Sequence, residues 1–154
     1  MKKYLKIAAI ALALGFIIIQ FFRPNFTNSL IVPGETLEDS TVVPPEVQMV
    51  LTRSCNDCHS NKTLYPWYSQ ISPFSWFLAG HIDEGRRELN FSTWNTNDVR
   101  QKIHKLDEIC EMVEGGHMPL PSYLWIHRDA ALSADQRKLI CDWATAEKTR
   151  LQAQ

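Results

Sequence analysis

Cys55-Asn56-Asp57-Cys58-His59 is the segment of this chain best equipped to do chemistry. Two thiols three residues apart lie about one helical turn from each other, which matches the separation of two vinyl groups on a porphyrin edge. The histidine that follows directly can then bring its imidazole beneath the iron. This C-x-x-C-H spacing is the attachment pattern of c-type haem: thioether bonds fix the macrocycle, and the imidazole takes one axial position. Two other chemistries use paired cysteines. A thioredoxin-like redox pair expects a βαβ setting, and no segment of strand period surrounds these residues. A zinc site needs a second close ligand pair, whereas Cys110 and Cys141 lie far apart in sequence. The expectation is one covalent haem c held at Cys55 and Cys58, with His59 as the proximal axial ligand.

The second axial position has more than one candidate. Met118 sits in Gly115-Gly116-His117-Met118-Pro119, a loop that proline keeps out of regular structure. A thioether there would complete His/Met coordination and raise the reduction potential, which suits electron transfer. Methionine also fills gaps in cores, which is the bland alternative. His81 is the rival, placed on an apolar helical stripe between Phe77 and Ile82. A histidine on such a face is more often a core residue with satisfied nitrogens. His117 would reach the iron after a one-residue slip, while His104 lies off its helix stripe and His127 reads as a loop or cap residue. Cys110 and Cys141 fit a disulfide or two buried free thiols equally well. Arg86 and Arg87 suit haem propionates or plain solvated charge. Trp67, Trp76, Trp94 and Trp125 are either haem walls or ordinary aromatic core.

Helices must position these groups. Pro44 and Pro45 suit a first helical turn, and Val47, Val50 and Leu51 give that helix an apolar face leading into Cys55. Ser72-Pro73 opens a helix carrying Phe74, Phe77, Leu78, His81 and Ile82, ending near Gly85 or Asn90. Val99, Ile103, Leu106, Cys110 and Val113 form the stripe of the next, which Gly115-Gly116 stops. Ser133 with Gln136 resembles a capping box and opens a last helix with Leu139, Ile140 and Trp143 inward. No internal repeat is visible. The reading is a small all-α domain over residues 44–150, preceded by a flexible tether over 24–43 that holds Pro24, Pro33 and Gly34.

Residues 1–23 read as a signal-anchor. Lys2, Lys3 and Lys6 precede an apolar run from Ile7 to Ile19 that continues past Gln20 to Phe22. Counted from Tyr4, a helix here would span about 28 Å, close to one hydrocarbon core. Gln20-Phe21-Phe22-Arg23 offers no small residues for cleavage, and cutting after Ala13-Leu14-Gly15 would expose Ile-Ile-Ile. The lysines keep the N-terminus cytoplasmic and export the rest, where thiols can be oxidised. Across 154 residues, 16 basic and 17 acidic side chains leave a net charge of −1, which speaks against a nucleic-acid partner.

With these residues in view, the sequence resembles the small bacterial haem-binding domain proteins, distant relatives of class I cytochromes c. The resemblance runs from Ile19-Gln20-Phe21 and Arg23-Pro24 through Cys55-x-x-Cys58-His59-Ser60-Asn61 and Tyr65-Pro66-Trp67-Tyr68. It continues in Ser72-Pro73, Gly85-Arg86, Leu89-Asn90-Phe91-Ser92, Trp94, Met118-Pro119, Tyr123, His127 and Leu132-Ser133. It implies a cytochrome c-like helical domain behind an N-terminal transmembrane helix, in the bacterial inner membrane, single-pass, with the haem domain facing the periplasm. The expected function is that of a membrane-anchored mono-haem cytochrome passing single electrons to an unidentified redox partner, and not an enzyme. The alternative is a haem-based sensor or small-ligand binder with an open or labile sixth iron site.

Overall fold

The computed structural model describes residues 1–153 and is built from helices and loops. Helix α1 (Lys2–Ile19) is followed by α2 (Leu37–Ser40), α3 (Pro45–Ser54) and α4 (Asn56–His59). Then come α5 (Phe74–Glu88), α6 (Val99–Glu114), α7 (Pro121–Leu124) and α8 (Ala134–Gln152). Short 3-10 turns at Trp67–Gln70, Phe91–Thr96 and Arg128–Ala130 join them, and no strand occurs among the described residues. The all-α expectation holds.

Local chemistry sets the boundaries. Pro45 starts α3 at a position where its missing N–H costs nothing. Ser133 and Gln136 form a reciprocal capping box on α8, as do Asp98 and Gln101 on α6. Helices α6 and α8 run antiparallel, because Asp107 pairs with Lys148 at 2.6 Å while Cys110 is disulfide-bonded to Cys141. The disulfide resolves the open question about those two cysteines. It also accounts for the closeness of Glu114 to both sulfurs, which are not available as metal ligands. Against this pair pack α3 and the Phe91–Thr96 turn, giving a core of Val47, Val50, Leu51, Phe91, Trp94, Leu106, Ile140 and Trp143 among others. Residues 24–43 lie along the domain: Leu37 is in the core, and Asn28 Nδ2 donates to Thr63 O at 3.0 Å.

Two stripes differ from expectation. On α6 the buried residues are Leu106, Ile109 and Val113, and Val99 is exposed in the first turn. On α5 the buried residues are Ser75 and Ile82, while Phe74 and Phe77 face solvent. The small Ser75 lets the helix lie close to its neighbours, and its hydroxyl hydrogen-bonds that of Ser72 at 2.9 Å. Of the four tryptophans weighed as haem walls, Trp94 is fully buried in the core, and Trp67 and Trp125 are the most exposed.

The N-terminal transmembrane helix is overturned. No helix among the described residues is long and apolar enough to cross a membrane. Helix α1 has 18 residues, and Lys2, Lys3 and Lys6 fall inside it. The uncharged stretch Ile7–Ile19 rises only about 20 Å, well short of a hydrocarbon core of about 30 Å. Where the helix ends at Ile19, Gln20 is tied to the domain: its Nε2 donates to Ser72 O at 3.0 Å and its Oε1 accepts from Ser72 N at 2.9 Å. Trp76 Nε1 also donates to Phe22 O, and Arg23 to Gln70 O. The single-pass inner-membrane location with a periplasmic haem domain rested on that helix and falls with it.

Candidate cofactor site

Cys55 caps α3 and opens α4, so the two thiols share one tight turn. The N–H groups of Cys58 and His59 both donate to Cys55 O, at 3.1 and 2.9 Å. Cys55, Cys58 and His59 line a cavity of about 550 Å³, within the range of small-molecule and cofactor sites. The lining also includes Ile109, Val113, Met118, Pro119, Leu120 and Ile140, together with Phe91 and Tyr123. Most of this lining is apolar. The charged lining residues are Asp57, Glu84, Glu88, Glu108 and Glu111 against Lys105.

His59 is held in one tautomer. Its Nδ1 lies 3.0 Å from Gly85 O and 3.1 Å from Leu89 O, and because carbonyls only accept, Nδ1 carries the proton. Nε2 has no hydrogen-bond partner among the described residues and is left to bind a metal. Burial lowers the His59 pKa, although the two carbonyls pull it upward, so the ring favours the neutral form that a metal requires. Burial likewise raises Cys55 to about 12 and Cys58 to about 11. Both stay thiols near neutral pH. Neither is disulfide-bonded.

The other candidates are distributed as follows. Met118 lines the cavity and packs against the core, with its N–H donating to Met112 O at 3.1 Å. His81 also lines the cavity, its Nδ1 bound to Phe77 O at 2.9 Å and its ring against Phe77. His117 is exposed and outside the lining, and His104 pairs with Glu108 on the surface of α6. His127 Nε2 shares a 2.8 Å hydrogen bond with the Tyr68 hydroxyl. Arg86 is used internally: Nε donates to Ser60 O at 2.9 Å, and Nη2 to Asn28 Oδ1 and Thr63 Oγ1. Arg87 lies on the surface against Glu88.

Sequence reasoning missed three contributors. Gly85 supplies a carbonyl to His59 and allows α5 to touch α4, since a Cβ there would lie 2.8 Å from Cys58 O. Ser54 lines the cavity with its hydroxyl buried and unpartnered among the described residues. Asp57 accepts from the Tyr123 hydroxyl at 2.8 Å and from Leu64 N at 2.9 Å. Gly85→Ala is therefore expected to push α5 off the thiol turn and destabilise the fold by about 1–3 kcal/mol, read by chemical denaturation.

Two unbridged thiols one turn apart, an imidazole with one nitrogen committed and the other open, and an apolar cavity beside them fit a porphyrin. The orphaned Ser54 hydroxyl in the wall also fits a polar group on an occupant. Fold and site together define a small helical haem-binding module. The haem-binding domain family matches residues 14–146, and the chain belongs to that family. No curated protein and no solved structure matches it.

Proposed function

We propose that the chain holds one haem c covalently and serves as a mono-haem cytochrome in single-electron transfer, without enzymatic activity of its own. The observation that carries this reading is the His59 imidazole, pinned through Nδ1 to Gly85 O and Leu89 O beside two free, half-buried thiols. Cys55 and Cys58 each add sulfur and hydrogen across one vinyl double bond, forming the S–C bonds of two thioethers. His59 Nε2 would hold the iron together with Met118, with His81 as the rival to Met118. The iron, once bound, supplies the one-electron redox change. The protein contributes ligand choice, a fixed ring orientation and apolar walls that exclude water.

Mass spectrometry of the intact chain, produced with a working haem-ligation system, tests the attachment. A gain equal to one haem is expected, and a mass equal to the polypeptide alone removes the reading. Met118→Ala is expected to abolish the far-red absorption of a thioether-ligated ferric haem and open the ferrous form to carbon monoxide. An unchanged spectrum would move the assignment to His81. Rapid carbon monoxide binding by the unaltered protein would instead favour the sensor, in which the sixth position is open or labile.

A further inference from the structure

Met118, Pro119, Leu120 and Tyr123 line the cavity, yet the segment from Met118 to Leu124 is a loop and a single helical turn between two longer elements. Its most direct bond to the thiol turn is made by one side chain. The Tyr123 hydroxyl donates to Asp57 Oδ2 at 2.8 Å, across 66 residues of sequence. Asp57 stands between Cys58 and Asn56 inside the C-x-x-C-H segment, at a position where that spacing demands no particular residue type. Its second oxygen is held by Leu64 N at 2.9 Å, so the carboxylate is fixed from both sides. The Tyr123 ring is fixed too: it stacks on His127 at 4.3 Å and 9°, and His127 is bound to Tyr68. A phenol donating to a carboxylate makes a charge-assisted hydrogen bond, about twice as strong as a neutral one. Tyr123, Asp57, Cys58 and Met118 all line the same cavity.

We propose that Tyr123 is a positioning residue that clasps segment 118–124 to the thiol turn through Asp57, and so holds Met118 in the cavity lining. The part concerning Met118 rests on the haem reading above, while the clasp itself does not. Tyr123→Phe isolates the hydroxyl, because the phenylalanine ring keeps the stacking on His127 and most of the buried volume.

The test uses the full chain carrying its haem. In Tyr123→Phe, amide hydrogen exchange over residues 118–127 is expected to quicken about ten-fold or more, while exchange in α6 and α8 stays as it was. Carbon monoxide is expected to bind the ferrous form about ten-fold faster, since the Met118 sulfur leaves its place more often. A merely structural tyrosine would leave the carbon monoxide rate and the ferric far-red absorption unmoved. Unchanged exchange over 118–127 overturns the clasp, and faster exchange with an unchanged carbon monoxide rate overturns its link to Met118. If the unaltered chain proves to carry no covalent haem, the haem reading fails, and exchange in the haem-free chain still decides the clasp. If Tyr123→Phe does not fold, Asp57→Asn, read by the same two measurements, takes its place.

Discussion

Replacing both Cys55 and Cys58 by serine is expected to remove covalent haem completely, so that a denaturing gel stained for haem peroxidase activity shows no band. Both thiols line the cavity beside His59, and the remaining cysteines are bonded to each other between α6 and α8. No other sulfur nucleophile is left to form a thioether. Without thioethers, a porphyrin is retained only by axial ligands and apolar walls, and denaturation releases it. The folded double variant is expected still to bind haem reversibly through His59, which would separate loss of attachment from loss of the site. A persistent stain would place the attachment elsewhere. Single replacements should each leave one thioether and a stained band.

Removing the Cys110–Cys141 bond is the second large expected effect. The bridge joins residues 31 apart, and cross-linking a loop of that length restricts the unfolded chain by about 3–4 kcal/mol on the chain-entropy account. Cys110→Ala with Cys141→Ala should lower stability by about that amount and the melting temperature by about 10 °C. Thermal melts with and without a dithiol reductant check it: the reductant should reproduce the variant in the native chain and do nothing to the variant itself. The effect reaches the site. Ile109 and Ile140, the neighbours of the two cysteines, both line the cavity, so the α6–α8 wall loosens along with the fold. Equal melts for variant and native chain would show that α6 and α8 are held by packing alone.

How far residues alone carried the reading depended on whether a feature is local. Proline at the start of α3, the Ser133–Gln136 cap and the C-x-x-C-H turn are local, and each lies where its spacing put it. The backing of His59 is not local. Backbone carbonyls at Gly85 and Leu89 do the work, and a carbonyl leaves no trace in residue type. The pairing of Asp57 with Tyr123 spans two distant loops, and the tie between Gln20 and Ser72 spans 52 residues. Helical periodicity marked the apolar residues of α5 but not which of them is covered, and Phe74 and Phe77 proved to be outside. The membrane reading failed for a similar reason. Hydropathy counted apolar residues through Phe22, whereas the helix holds its lysines inside and ends where a glutamine finds a partner.

The carbonyls that accept the hydrogen bond from His59 Nδ1–H belong to the final turn and cap of α5. That end of a helix carries a fractional negative charge, about half an electron, from aligned peptide dipoles. Facing an N–H, it draws the proton outward and leaves the ring richer in electron density at its other nitrogen. An iron bound there would meet a stronger donor than free imidazole, and its ferric state would be favoured over its ferrous one. The direction in which α5 points would thus act as an electrical bias on any metal held at His59.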